Sequence, residues 1–267
     1  LTLPIYPRKR FGQHWLRDEG VLNTIVATAG LTTTDQVLEI GPGTGNLTVR
    51  MLPRVGRLTA VELDRDLCQL LRARIVDPRF CLIEGDILQI GIPDGVNKVV
   101  ANIPYNITGE ILRLVLGTIA RPERRFSTIV LLVQREIALR LTSLPGSSNY
   151  GALSVRCQYL ADCELVREVA PRCFTPPPKV HSAVVKLTPR PYPVLPLHPP
   201  TLDRLVKLGF AQKRKMLRNN LQSLAKRDEI IQILEELAIP TQARAEDLTI
   251  EQWIKLADRT IDVAPLG

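Results

Sequence analysis

Val37-Leu38-Glu39-Ile40-Gly41-Pro42-Gly43-Thr44-Gly45-Asn46-Leu47-Thr48 decides how the rest of the chain is read. A short apolar run stops at three glycines spaced two apart, and a helix-compatible segment follows. That order predicts a buried strand, a tight turn and a helix start. Glycine permits positive φ and lets backbone approach a ligand with no Cβ in the way. Bare amides at the turn and the helix N-terminus are then expected to face whatever binds there. Glu62 follows Gly41 by 21 residues and ends a second apolar stretch, Leu58-Thr59-Ala60-Val61-Glu62. In doubly wound α/β folds an acid at that place hydrogen-bonds a ribose.

A dinucleotide site wants G-x-G-x-x-G, and the sixth position here is Asn46. The pattern present, E-x-G-x-G-x-G, resembles motif I of the S-adenosylmethionine-dependent methyltransferases. That cofactor has no pyrophosphate, so the third close-approach glycine and a phosphate-binding helix end are less needed. Alone, such a turn also fits a plain strand-to-helix connection; Glu62 at the second strand end weighs against that.

Composition narrows the partners. The chain has 267 residues, 45% of them hydrophobic, enough for one large domain or one plus a small one. Its formal charge of +8 and pI near 9.5 favour a polyanionic partner. Five cysteines form no C-x-x-C pair and three histidines lie far apart, so no metal and no disulfide framework is expected. No run is apolar enough to span a membrane, and a cytoplasmic location is expected. A chain beginning at Leu1 leaves room for a removed organellar presequence.

In chain order, Arg8-Lys9-Arg10 with Phe11 and Trp15 reads either as an arm for a phosphate backbone or as a solvated tail. Asp18 is placed to cap a helix through about Ala29, with Val21, Leu22, Ile25 and Val26 on one face. Asp64–Ile75 reads as a helix that buries Leu67, Leu70, Leu71 and Ile75. Phe80–Asp86 is a third strand ending in Gly85-Asp86, over the same crevice as Gly41 and Glu62, although a Gly-Asp pair also makes a simple turn.

Lys98–Tyr105 is a fourth strand ending in Asn102-Ile103-Pro104-Tyr105. It resembles motif IV, Asp/Asn-x-Pro-Tyr/Phe, of methyltransferases acting on exocyclic amino nitrogens. The adenine amino group is a poor nucleophile because its lone pair is delocalised into the ring. It must be held in line with the methyl donor by acceptors aimed at its hydrogens. The Asn102 side-chain oxygen and the Pro104 carbonyl can be those acceptors, and Tyr105 can stack on the base. No cysteine sits here, which argues against C5-cytosine methylation through a thiolate.

Helices are expected over 107–119, 135–144 and 152–160, and strands over 127–133, 164–169 and 183–187. The loop 146–151 could move on substrate binding. Phe174-Thr175-Pro176-Pro177-Pro178-Lys179-Val180-His181-Ser182 is a stiff extended loop. It either presents Phe174 to a base opposite Tyr105 or buries Phe174 in the core. Six prolines between 189 and 200 mark a linker. Beyond it the pattern is helical, with further helices near 228–237 and 246–257. Arg204 to Arg227 holds eight basic residues and no acidic ones, centred on Lys213-Arg214-Lys215-Met216-Leu217-Arg218. On a helix face these would neutralise phosphates.

Taken with Arg10-Phe11-Gly12-Gln13-His14-Trp15-Leu16, these blocks resemble the ribosomal RNA adenine N6,N6-dimethyltransferases of the KsgA type over nearly the whole chain. The family usually has Asn-Phe where this chain has His14-Trp15. The resemblance implies an α/β fold: a Rossmann-like, seven-stranded class I methyltransferase domain (residues 1–190), the linker (191–200) and a small all-helical RNA-binding domain (201–267). It implies S-adenosyl-L-methionine held by His14, Leu16, Gly41, Gly43, Glu62, Asp86, Ile87 and Asn102. Catalysis falls to Asn102, Pro104, Tyr105 and Phe174, and RNA binding to Arg8, Lys9, Arg10, Lys213, Arg214, Lys215 and Arg218. The implied substrate is two adjacent adenosines in the 3′-terminal hairpin loop of small-subunit rRNA. The implied partner is a pre-ribosomal small subunit, met by a monomer. The alternatives are a large-subunit adenine methyltransferase of the erythromycin-resistance type, a non-catalytic assembly or transcription factor on the same fold, and an oxidoreductase. The failed dinucleotide pattern argues against the last.

Overall fold

A computed structural model describes residues 7, 8 and 12–260. Nine strands alternate with eleven α-helices among them. Seven strands make one sheet: β2 (Gln36–Ile40), β3 (Arg57–Glu62), β4 (Phe80–Glu84), β5 (Lys98–Asn102), β6 (Thr128–Gln134), β7 (Ala161–Val169) and β9 (Ser182–Pro189), ordered β4-β3-β2-β5-β6-β9-β7. The first five are parallel, and β9 runs antiparallel to β6 from Ile129↔Leu187 to Gln134↔Ser182. This is the class I methyltransferase sheet with its reversed strand. The last strand in sequence, β9, lies one place in from the sheet edge, between β6 and β7.

The apolar runs of β2, β5 and β6 are buried almost throughout because the sheet is covered. Helix α1 (Glu19–Ala29) is capped as expected: the Asp18 side chain accepts from the Val21 amide at 2.9 Å, and Gly30 closes the far end at φ 52°. Its Val21, Leu22, Ile25 and Val26 pack with Val37, Leu58, Val100 and Val130 in one core cluster. Lys98 fastens its C-terminal end, donating to Ala29 O and Gly30 O and pairing with Asp35 at 2.9 Å.

After the glycine turn, helix α2 (Thr48–Met51) is one turn long and passes into a 3₁₀ turn at Leu52–Arg54. Helix α3 (Arg65–Arg74) starts at Asp64 and buries Leu67, Cys68 and Leu71; Leu70 is only half-buried, so Cys68 takes the place expected of it. The short α4 (Ile87–Ile90) follows β4, and α5 (Thr108–Leu116) follows β5 through a 3₁₀ turn at Tyr105–Ile107. A two-residue ribbon joins β1 (Trp15–Leu16) to β8 (Phe174–Thr175), antiparallel.

Two compact units divide the chain. One holds the described residues up to Gly117 with Glu123–Ala138 and Cys163–Pro189; the other holds Thr118–Pro122, Leu139–Asp162 and the described residues from Arg190 onward. This differs from a cut at 190, because α7 (Ala152–Leu160) packs on α8 (Pro199–Gly209). Tyr150 meets the Phe210 ring edge-on at 6.4 Å, and Arg156 pairs with Asp203 at 2.9 Å. Helix α6 (Arg135–Thr142) has residues in both units. The rest of the second unit is α9 (Leu217–Asn220), α10 (Arg227–Glu236) and α11 (Ile250–Thr260). Among the described residues no helix is long and apolar enough to cross a membrane.

Candidate active site

The sheet changes direction between β2 and β5, and a ligand crevice belongs at the carboxyl ends of strands flanking such a point. A cavity of about 360 Å³ lies there. Gly41, Gly43 and Glu62 line one side of it, and Asp86 and Ile87 line the next. His14, Asn102, Pro104 and Tyr105 complete the wall. Nine of the eleven residues the sequence assigned to cofactor or catalysis are thus brought together.

The other two are not. Leu16 is 4% exposed and sits in the core cluster, where its carbonyl accepts from Asn46 Nδ2 at 3.0 Å. Phe174 is 3% exposed in the same cluster and takes no part in the cavity wall. The β1–β8 register pairs it with Leu16 and turns its ring onto the core, so the loop buries Phe174 instead of presenting it. Aromatic surface reaches the cavity instead from Trp15 and from Tyr105 stacked on His14, with centroids 5.8 Å apart at 22°.

The turn corrects a further expectation. Its glycine amides are occupied: Gly41 N donates to Val61 O, Gly45 N to Pro42 O, and Gly43 N to Glu62 Oε2 at 3.1 Å. The glycines serve approach and packing instead. Gly43 has φ 58°, and a Cβ there would stand 3.2 Å from Trp15 Cδ1. One at Gly45 would meet Leu71 Cδ2 at 2.9 Å.

Each polar group is held by a neighbour. Glu62 Oε1 accepts from the Asp64 amide at 2.9 Å; burial raises its pKa while the Asp64 and Gly43 amides oppose the rise. Glu39, beneath the turn, accepts from Thr48 Oγ1 at 2.7 Å, and burial lifts its carboxyl to about 8. Asp86 caps α4 through Oδ1 and Leu88 N at 2.9 Å. Asn102 Nδ2 donates to His14 O at 3.1 Å. A carbonyl only accepts, so the amide atom left for the cavity is Oδ1. His14 Nδ1 lies 2.8 Å from Pro176 O and by the same rule carries a proton. The Tyr105 hydroxyl shares a 2.5 Å hydrogen bond with Ser182 Oγ, and burial raises its pKa. The Pro104 carbonyl is only loosely engaged, by Ile107 N at 3.4 Å and Thr108 Oγ1 at 3.5 Å.

Sequence reasoning missed Gln13 and Trp15. Gln13 Nε2 donates to Asp64 at 3.0 Å, and its Oε1 accepts from Arg8 N. Arg8 also pairs with Asp64 and Asp66, so it braces this segment instead of offering a loose basic arm. Lys9 and Arg10 lie outside the described residues. Trp15 is 8% exposed, lines the cavity, and its buried Nε1 has no hydrogen-bond partner among the described residues. Its departure from the usual Phe was the one available signal.

In the second unit Lys213, Arg214 and Lys215 are exposed, but on a turn rather than on the helix face expected of them. Met216 is extended and bridges Arg244, and Leu217 N donates to Ala243 O, so α9 starts only at Leu217. Lys213 pairs with Glu246 at 3.3 Å, and Arg218 is half-buried with Nε enclosed.

Residues 6–262 match the family described as ribosomal RNA adenine dimethylase. A ribosomal RNA small subunit methyltransferase A of Nostoc sp. is 53% identical over 265 residues, covering 95% of this chain and 98% of that protein. A dimethyladenosine transferase from Plasmodium falciparum has a similar structure, with TM-score 0.79 at 28% identity over 91% of this chain and 96% of that one. The 23S rRNA methyltransferase ErmE is also similar, with TM-score 0.69 at 27% identity over 92% of this chain and 98% of that one. With the motif residues gathered at one cavity and the match running nearly end to end, the chain belongs to the ribosomal RNA adenine dimethylase family.

Proposed function

We propose that this protein moves methyl groups from S-adenosylmethionine to the N6 amino groups of two adjacent adenosines in the 3′-terminal hairpin loop of small-subunit rRNA, acting as a monomer on an assembling subunit. The observation that carries the reading is that the glycine turn, Glu62 and Asp86 share one cavity with Asn102-Ile103-Pro104-Tyr105. A methyltransferase family implies S-adenosylmethionine as donor. The cavity suits it: Trp15 Nε1 is a buried donor with no partner among the described residues, and Gly43 leaves room that a Cβ would fill.

When bound, S-adenosylmethionine supplies a methyl group on a positively charged sulfur. Glu62 would take the ribose hydroxyls with its remaining lone pairs, and Asp86 the adenine amino group with Oδ2. Gly41, Ile87 and His14 would complete that side. The chain's task at the reacting end is placement. Asn102 Oδ1 and the loosely held Pro104 carbonyl would accept the two hydrogens of the target amine, which orients its lone pair and leaves it uncompromised by other contacts. Tyr105 would stack on the unpaired base, and loop bases cost less to extract than duplex ones. No dedicated base is required, because the methylated ammonium loses its proton to water. The exposed Arg214 and Lys215 would meet rRNA phosphates.

The test is methyl incorporation from labelled S-adenosylmethionine into unmethylated small subunits, large subunits and mixed tRNA, with the nucleoside identified by mass spectrometry. Dimethyladenosine in small-subunit RNA alone is expected. Label in large-subunit RNA would move the chain to the resistance-type reading; no label despite cofactor binding would favour a non-catalytic factor.

A further inference from the structure

One strand further along the same edge of the sheet, a second cavity of about 500 Å³ opens, lined by Gln134, Arg135, Glu136, Glu168, Val180 and His181. That volume accommodates a nucleoside. Its place is set by the β6–β9 ladder. Gln134 at the carboxyl end of β6 is paired with Ser182 at the start of β9, and the Ser182 hydroxyl is the one bonded to Tyr105. Tyr105 lines the first cavity, so one hydroxyl pair ties that wall to the β9 residue paired with Gln134 and next to His181 on the second. The backbone is pinned, with Arg135 N donating to His181 O at 2.9 Å.

We propose that this second cavity is a nucleotide subsite that holds the base next to the adenine being methylated, and that it prefers adenine. The proposal rests on the adenosine reading given above. Arg135 Nε and Glu168 Oε1 form a 2.7 Å pair, with the two side chains 44% and 47% exposed. A pair that wet stabilises the fold little and is readily traded for a ligand. Together they offer a donor beside an acceptor. Adenine presents the complementary alternation, an amino donor beside a ring-nitrogen acceptor. A phosphate fits worse, because Glu168 would face it. Val180, 44% exposed, gives an apolar surface for the base, and the exposed His181 ring can stack on it.

The test uses the full chain and small subunits reconstituted with rRNA bearing adenosine or uridine beside a single methylatable adenosine. The readout is kcat/KM for that adenosine. The wild-type protein is expected to favour the adenosine neighbour about tenfold. Glu168→Gln with His181→Ala is expected to erase the preference while S-adenosylhomocysteine affinity, measured by calorimetry, stays native and reports an intact first cavity. A wild-type protein indifferent to the neighbour, or a variant that keeps the preference, overturns the subsite and leaves the methylation reading standing. Wild-type protein that methylates no small subunit at all overturns both.

Discussion

The proposed function gives Asn102 two tasks at once. Its Nδ2 ties the chain at His14, and its Oδ1 would take the target amine. Asn102→Ala is therefore expected to lower kcat by about 100-fold or more, the scale of losing one preorganised polar contact in a transition state. S-adenosylhomocysteine should bind more weakly as the His14 tie is lost, while particle binding stays near native. Single-turnover methylation with parallel calorimetry separates these, and a native rate would remove Asn102 from the chemistry. Glu39 sets a pH dependence. Its carboxyl is lifted from near 4.5 to about 8 by burial, with Thr48 opposing and Glu62 adding to the rise. The folded state then holds a proton that the unfolded chain has released, so the stabilising contribution is full below about 4.5 and is lost as pH rises toward about 8. Glu39→Gln should flatten the fall of Tm across that window, though not fully, since Glu62 is shifted the same way. Equal slopes for variant and wild type would refute the assignment. Glu62, Asp86 and Asn102 were legible in the sequence because each closes an apolar run that marks a strand, and the structure brings them to one cavity. Phe174 was not, because a phenyl ring serves a base stack or a core equally, and the Leu16 register chooses between them.

Elements were legible where their signal is local. Asp18 and Gly30 bracket α1, and apolar runs name every strand of the sheet except β7, which carries Asp162, Glu164, Arg167 and Glu168. The basic stretch misled for a non-local reason: Met216 pairs with Arg244, far along the chain, and that bridge breaks the helix which composition alone suggests. The basic residues consequently stand on a turn, with Lys213 held against Glu246. Arg214→Glu with Lys215→Glu is the cleaner perturbation, because it leaves that ion pair alone. If both residues meet phosphates, affinity for the small subunit should fall and the salt dependence should lose roughly 1.4–1.8 units of log–log slope, about 0.7–0.9 per contact. Filter binding across a salt series measures this, and an unchanged slope would take the turn out of the interface.

At the scale of the whole molecule the proline-rich stretch looked like a boundary, yet the second unit also recruits residues 139–162. Sequence gives no hint of this, since contact between distant segments leaves no local pattern. A chain ending at Arg190 would strip Phe210 from Tyr150 and Tyr192 from Tyr159, side chains that are 0% and 3% exposed in the intact protein. It is expected to bind a hydrophobic dye and to melt well below the full-length protein. A truncated chain that melts cooperatively at the native temperature would show the first 190 residues to be self-sufficient.

The chain has only two tryptophans, and they fall one to each unit: Trp15 on the cavity wall and Trp253 fully enclosed among the C-terminal helices. Nature has thereby installed a separate optical reporter in each half. Trp253→Phe would leave an emission governed by the cavity alone, so that cofactor arrival and departure could be timed without label, and Trp15→Phe would leave one that watches the helical half for a response.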